Sequence, residues 1–181
     1  MPRNEEYKSD ISRRRQPVTG FYLIIVVAAA VIINLFFFRL SLVNGYSMIP
    51  SLDNHDLVVV RLFNLYPVPG DIVLTTKKNI SGVRMIKRVL AVGGQRVTIT
   101  GSDIFVDGAP IDLPEALPNN ETGAIIVDRT EFIIPDGYYF LVGDNYCASV
   151  DSRVLGSFSK SDIYGIVVLR VFPKFTLYQL S

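Results

Sequence analysis

The sequence has little of the two residue types that most often build cross-links and metal sites. Among its 181 residues there is one cysteine, Cys147, and one histidine, His55. A single cysteine excludes an intramolecular disulfide, so the fold must be stabilised by its core. One cysteine and one histidine also cannot supply the usual ligands of a zinc site, and we expect neither a metal nor another cofactor.

Net charge is also nearly absent, because the formal charge is only +1. Nucleic-acid-binding domains usually carry a strongly basic surface, and we therefore expect no nucleic-acid partner. The one histidine lies in the polar turn Leu-Asp-Asn-His-Asp, where it is expected to be solvated. If the protein uses a serine nucleophile, its base must be another residue type than histidine.

Long apolar stretches are limited to residues 21–38, which contain one strongly polar residue, Asn34. A run of roughly 18 residues is at the short end for a transmembrane helix, and spanning is the simplest interpretation. No small-x-small site follows the run, as a cleaved signal peptide would require. Arginines 13–15 precede it, so residues 1–20 are predicted to be cytoplasmic and residues 39–181 extracytoplasmic, in a single-pass protein of the cell membrane.

The chain after this run is patterned as short strands with turn punctuation. Strands are predicted at 57–62, 71–76, 96–100, 104–106 and 163–173. Asp107-Gly108 is a strong hairpin signal. No helix of convincing length is predicted here, so this part is mainly β. Residues 175–181 are expected to form a frayed tail.

Phe63–Pro69 is an apolar and aromatic loop between two of these strands. Its sequence fits a packed surface loop. It equally fits a contact with the membrane interface, where Tyr and Phe are favoured. The sequence leaves both interpretations open.

The first candidate for chemistry is Ser47, within Asn-Gly-Tyr-Ser-Met-Ile-Pro-Ser-Leu at residues 44–52. A short apolar strand at 40–43 precedes it and Pro50 follows, so the serine lies where a strand gives way to a turn. Exposed amides beside a strand-end serine can stabilise an oxyanion. A Gly-x-Ser beside a proline is nevertheless more often a plain turn, and a nucleophile needs a base.

The second candidate is Lys87, in the strand pattern Ser-Gly-Val-Arg-Met-Ile-Lys-Arg-Val. Side chains alternate along a strand, so Lys87 shares a face with the apolar Val83, Met85 and Val89. Burial disfavours the charged form and lowers a lysine's pKa, which makes it a general base near neutral pH. From this segment alone, a lysine on a half-exposed strand is the simpler interpretation.

A third segment, residues 141–153, is dense in hydrogen-bonding groups and is either solvent-facing or built to hold a site. Its Gly-Asp-Asn and Asp-Ser-Arg follow Ser-Met-Ile-Pro-Ser-Leu, Gly-Asp-Ile-Val and Lys-Arg-Val in the chain. This ordered set resembles the sequence boxes of the type I signal peptidases of peptidase family S26, in their Gram-positive form. Members are membrane-bound Ser/Lys proteases that remove signal peptides from exported preproteins. The resemblance covers the chain from the apolar run to Pro173.

The resemblance implies a fold and a set of residue roles. The fold is a signal-peptidase-type β core with a small inserted β extension, here roughly 95–135, after one N-terminal transmembrane helix. Ser47 is implied as nucleophile, Lys87 as general base and Ser149 as the residue that orients the lysine amine. Site architecture is implied for Asp144, Asp151, Arg153 and Arg88. An extended substrate with small side chains before the cut is implied to bind Val43, Gly45, Met48, Leu52, Met85 and Ile86.

The sequence departs from the family pattern at two places. Val92-Gly93-Gly94-Gln95 stands where Leu-Pro-Gly-Asp is usual, and Tyr146 and Cys147 stand where an arginine and an acidic or amide residue are common. Both catalytic positions are retained, so we expect activity with a narrowed substrate range. The expected partners are preprotein signal peptides and membrane lipid.

Two alternatives remain open. One is a specialised or non-catalytic relative that processes or assembles pilin subunits or other surface polymers. The other is a self-cleaving Ser/Lys repressor-type protease, which shares the catalytic pair. The apolar run and the absence of a DNA-binding helix-turn-helix before the protease part argue against this second alternative.

Overall fold

The computed structural model describes residues 18–77, 82–101, 103–111 and 127–178. The chain divides into two compact units, Met1–Phe36 and Phe37–Ser181. Helix α1 (Val18–Phe37) accounts for the described part of the first unit. Its residues Gly20–Phe37 have a mean hydropathy of 2.6 and none is buried inside the protein. The helix is thus long and apolar enough to cross a membrane, although Phe38 already belongs to the first strand.

The second unit is built from antiparallel strands in two sheets. The larger sheet contains β1 (Phe38–Leu42), β2 (Leu57–Arg61), β3 (Ile72–Thr76), β4 (Arg84–Val92), β9 (Tyr138–Val142), β10 (Phe158–Ser159), β11 (Ile163–Phe172) and β12 (Thr176–Leu177). The smaller sheet contains β5 (Arg96–Gly101), β6 (Asp103–Val106), β7 (Ala109–Pro110) and β8 (Val127–Ile133). Apart from α1, the described helices are α2 (Ser152–Leu155) and two single 3₁₀ turns, Tyr146–Ala148 and Lys160–Asp162. The prediction of a mainly β fold is confirmed.

The order of strands in the larger sheet is β1-β2-β11-β3-β4-β9-β10, with β12 beside β11. Side chains of β2 alternate between the core and the surface, as the period of a strand requires, so Val58 and Val60 are fully buried. They pack with Met48, Leu52 and other apolar side chains in one core cluster. The turn that carries Ser47 is therefore seated on the core of the sheet.

The smaller sheet, in the order β7-β6-β5-β8, occupies the position of the expected insert. The hairpin between β6 and β7 turns at Asp107 and Gly108, whose φ angles are 52° and 82°. Two consecutive positive φ angles define the type I′ turn that an Asp-Gly pair favours. The predicted hairpin is confirmed. Residues 112–126 of the expected insert lie outside the described residues.

The expectation of a frayed C-terminal tail is wrong for residues up to Tyr178. β12 pairs with β11 through Leu169↔Leu177 and Arg170↔Thr176. The side chain of Arg170 donates to the Lys174 carbonyl at 3.2 Å and to Thr176 Oγ1 at 3.0 Å, which fixes the return of the chain. These bonds come from a side chain outside the tail, so the pattern of the tail itself does not reveal them.

Candidate active site

The turn that carries Ser47 is held against the segment that precedes β2. Beyond the end of β1, Val43 donates its backbone amide to the Asp56 carbonyl at 2.9 Å, and His55 donates to Val43 at 2.8 Å. The chain then leaves this pairing at Gly45, whose φ of +102° is strained for any residue with a Cβ. Ser47 follows in the turn with a half-exposed side chain. The serine thus lies at a strand end, as its sequence context predicts.

Lys87 reaches the serine from the middle of β4. Its Nζ donates a hydrogen bond to Ser47 Oγ at 2.7 Å. Only 3% of Lys87 is exposed, although β4 is unpaired on its β9 side at this residue. Burial lowers the pKa of Lys87 to about 8, Asp151 and Asp144 oppose the shift, and Arg153 adds to it. The pair has the geometry of a nucleophile and its general base.

Asp151 and Arg153 form a buried ion pair behind the lysine. Arg153 Nη2 lies 2.8 Å from Asp151 Oδ2, and the two side chains are 5% and 0% exposed. Asp151 also accepts hydrogen bonds from the amides of Gly143, at 3.1 Å, and of Arg153, at 3.2 Å. The Asp151 carboxylate therefore both caps α2 and holds the loop after β9.

Arg88 points to the opposite face of β4 from Lys87 and pairs with a different carboxylate. Its Nε and Nη2 donate to the two oxygens of the fully buried Asp144, each at 2.7 Å. Nη2 also donates to Ser51 Oγ at 2.9 Å and Nη1 to the Gly70 carbonyl at 2.8 Å. One guanidinium thus links three loops, including the one that carries Ser47.

A groove of about 380 Å³ leads to the dyad. One wall is the edge of β1 and its continuation to Gly45, and the other is the first half of β4. β4 pairs with β9 only from Arg88 onward, so Arg84–Lys87 presents an unpaired strand edge on that side among the described residues. An extended peptide can pair with such edges by strand addition.

A family model described as "Signal peptidase, peptidase S26" matches residues 18–172. The chain belongs to this family. The peptidase is 30% identical over 148 residues to Signal peptidase I S of Bacillus subtilis strain 168. The matched region covers 76% of this chain and 79% of the relative. It is 32% identical over 139 residues to the Probable signal peptidase I-1 of Synechocystis, covering 70% and 67% of the two chains.

The peptidase is also similar to a solved signal peptidase I from Enterococcus faecalis, with a TM-score of 0.45 and 20% identity over 56% of this chain and 96% of that chain. The family and its named relatives identify a type I signal peptidase, a serine endopeptidase that removes signal peptides. The resemblance drawn from the sequence boxes is confirmed.

The groove of the peptidase contains most of the residues implied for substrate binding. Val43, Gly45, Met48, Met85 and Ile86 line it. Leu52 does not, and this expectation is wrong: the side chain is fully buried in the core cluster beneath the turn. Six further residues line the groove that the sequence did not indicate, namely Ser41, Leu42, Asn44, Leu74, Val83 and Arg84.

Ser149 lies beside the dyad without a hydrogen bond to the lysine. Its Oγ is buried and has no hydrogen-bond partner among the described residues. A Cβ added to Gly143 would overlap both this Oγ and the Ser47 carbonyl oxygen, which shows how closely the loop after β9 approaches Ser47. In this structure Ser149 therefore does not orient the lysine amine through a hydrogen bond, which is the role that the resemblance implies.

Asn145 is a site residue that the sequence analysis named only as part of the Gly-Asp-Asn motif. Its backbone amide donates to the Ser47 carbonyl at 3.0 Å and its Nδ2 donates to the Tyr46 carbonyl at 3.1 Å. The motif marks the residue, but its partners lie about a hundred positions earlier in the chain, where no local pattern points to them.

No group of three or more His, Cys, Asp or Glu that would hold a metal ion occurs within the described ranges. Cys147 is half-buried in the 3₁₀ turn after Asn145.

Proposed function

We propose that Ser47 and Lys87 are the catalytic dyad with which this peptidase removes signal peptides. The observation that carries the proposal is the 2.7 Å hydrogen bond between Lys87 Nζ and Ser47 Oγ at the end of the groove. A lysine whose pKa is lowered to about 8 by burial is neutral in about one molecule in ten at pH 7 and in about half at pH 8. It then accepts a proton, as a general base must.

The reaction begins when neutral Lys87 takes the Ser47 hydroxyl proton while Oγ attacks the scissile carbonyl. The protonated lysine passes the proton to the leaving amine as the peptide bond breaks, and an acyl-enzyme on Ser47 remains. Neutral Lys87 next activates a water molecule, which releases the signal peptide and restores the serine.

The backbone amide of Ser47 is the candidate donor to the oxyanion that forms during the attack. It donates no hydrogen bond to any other residue in the described part of the chain. Gly45 has no side chain and stands where some family members carry a hydroxyl, so the amide carries more of this task. The Asn145 contacts to the carbonyls of Tyr46 and Ser47 hold the turn in place.

Substrate recognition follows from the two strand edges. An extended peptide pairs its backbone with the edges of β1 and β4, while its side chains alternate into and out of the groove. Met48 and Val43 lie at the floor and are almost fully buried, which leaves little depth below the peptide. Small residues before the cut fit this geometry.

We also propose that α1 anchors the peptidase in the membrane with residues 1–20 in the cytoplasm. Its length and hydropathy support insertion, and arginines 13–15 support the orientation. A purely non-catalytic role in assembling pilin subunits is less consistent with the site, because assembly requires neither a buried lysine nor its bond to the serine.

The test is cleavage of a preprotein by purified peptidase in detergent or lipid. Ser47→Ala and Lys87→Ala are expected to abolish cleavage. The matched controls are Ser161→Ala and Lys160→Ala, which change an exposed serine and an exposed lysine outside the groove and are expected to leave the rate unchanged. Cleavage by Ser47→Ala at the wild-type rate would refute the dyad.

A further inference from the structure

The chain that follows β11 returns to the turn that carries Ser47. β12 pairs with β11, and Tyr178 donates its backbone amide to the Val168 carbonyl at 3.0 Å. Arg170 clamps the return by donating to Lys174 and Thr176. We call residues 170–178 the C-terminal strap. It is ordered by backbone and side-chain bonds as far as Tyr178.

Two side chains of the strap meet at one atom of the nucleophile's turn, the carbonyl oxygen of Ser51. Tyr178 donates its hydroxyl to this oxygen at 3.0 Å, and Arg170 Nη1 donates to it at 3.0 Å. A carbonyl oxygen has two lone pairs, so both of its acceptor positions are occupied by the strap. Ser51 follows Ser47 by four residues, and Leu52 donates back to the Met48 carbonyl at 2.9 Å within the same turn.

The strap also contacts the turn through packing and charge. The ring of Tyr178 packs against the core cluster that contains Met48 and Leu52. Arg170 Nη1 lies 3.3 Å from Oδ2 of the buried Asp56, whose backbone carbonyl accepts the bond from Val43 on the groove wall. The strap therefore contacts the segment 43–56 at Ser51 and at its last residue, Asp56.

The Tyr178 hydroxyl remains protonated, and so remains a hydrogen-bond donor, over the pH range in which Lys87 becomes neutral. Burial raises the pKa of Tyr178 above its ordinary value of 10.0. Lys87 loses its proton at about pH 8, so Tyr178 remains protonated while the lysine becomes a base. The strap is thus intact across the pH range in which the dyad works.

We propose that Tyr178 and Arg170 are positioning residues, which hold the turn so that Ser47 Oγ stays within reach of Lys87 and of the scissile carbonyl. This inference rests on the proposed dyad. The turn is half-exposed at the serine. Asn145 holds it from the loop after β9, while Arg88, which lines one cavity with Tyr178, and the strap both hold it at Ser51. Misplacing a reacting group by about 1 Å can cost a hundredfold in rate, and a turn freed at Ser51 is expected to lose part of that alignment.

The experiment compares Tyr178→Phe with the wild type in preprotein cleavage, with Tyr138→Phe as the matched control. Tyr138 lies on β9, and its hydroxyl forms no hydrogen bond within the described part of the chain. Loss of the Tyr178 hydroxyl is expected to lower kcat about fivefold, because one hydrogen bond of about 1 kcal/mol corresponds to that change in rate. KM is expected to stay within about twofold of the wild-type value. Tyr138→Phe is expected to match the wild type.

Two further readouts separate positioning from general stability. The pH at which the rate is half-maximal is expected to stay the same, because burial lowers the pKa of Lys87 and the charges that adjust it are Asp151, Arg153 and Asp144 and not the strap. Backbone hydrogen exchange, measured by mass spectrometry, is expected to rise in peptides that cover residues 44–56 and not in those that cover 84–92. Arg170→Lys, which loses the fork but keeps the charge, is expected to show the same pattern.

The inference is overturned if Tyr178→Phe cleaves at the wild-type kcat, or if exchange rises equally in both peptides. Failure of the dyad has a different signature. In that case Ser47→Ala remains active, whatever Tyr178→Phe does to the exchange of residues 44–56.

Discussion

The backbone amide of Asn145 donates to the carbonyl oxygen of Ser47 at 3.0 Å, and this bond joins the loop after β9 to the proposed nucleophile. The approach is close because Gly143, two residues earlier, has no side chain. A Cβ at Gly143 would overlap the Ser47 carbonyl oxygen. The spacing between these two loops therefore sets where the serine lies relative to Lys87.

Gly143→Ala is expected to lower both stability and activity. The added methyl group forces the two loops apart, costing about 1 to 3 kcal/mol of stability, and moves Ser47 away from Lys87. The matched control is Gly165→Ala on β11, where a Cβ would overlap Val60 and the Arg61 carbonyl and not the dyad. Thermal unfolding and kcat measure the two effects.

The two variants are expected to differ in activity per folded molecule. Gly165→Ala should be destabilised and, below its unfolding temperature, keep the wild-type kcat. Gly143→Ala should lose at least tenfold in kcat under the same conditions. Equal kcat values in both variants would show that the approach at Gly143 does not control the serine.

The lowered pKa of Lys87 predicts that both the activity and the stability of the peptidase depend on pH. Activity is expected to rise as the pH increases through about 8, because the neutral amine is the proposed base. The folded state holds the pKa below its ordinary value of 10.5, so between those two pH values it binds fewer protons than the unfolded state. The free energy of unfolding therefore rises with pH across this window, by about 3 kcal/mol from this group.

Comparison with Lys87→Met isolates this contribution, because other groups titrate alike in both proteins. Below about pH 8, where the wild type carries a buried charge, the variant is expected to be the more stable by about 3 kcal/mol. The difference should shrink towards zero above about pH 10.5. Denaturant unfolding at several pH values measures it, and a constant difference from pH 6 to 11 would contradict a lysine with a lowered pKa.

The orientation that we propose for α1 predicts which residues an impermeant thiol reagent reaches in intact cells. In a Cys147→Ser background, Ser161→Cys lies in the β unit and Ser9→Cys lies before the helix. Ser161→Cys is expected to react in intact cells, and Ser9→Cys only after permeabilisation. Labelling of Ser9→Cys alone in intact cells would indicate the opposite orientation. Labelling of neither position would indicate that both lie inside the cell.

The sequence by itself determined the strand pattern and the face on which Lys87 lies. A period of two places Val89 and Lys87 on one side of β4, and both are buried, while Arg88 points to the other side and binds Asp144. These features depend on neighbours within a few residues. The motif order determined the family for the same reason, since each box is a short local signal.

Only the tertiary structure decided the contacts that complete the site. Lys87 and Ser47 are separated by 40 residues, Asn145 and Tyr46 by 99, and Tyr178 and Ser51 by 127. Leu52 belongs to the core and not to the groove because the turn folds over Val58 and Val60. The tail is ordered because Arg170 and Ser51 bind it. Such contacts depend on which distant strands pair in one sheet, and the local pattern of apolar and polar residues does not specify that pairing.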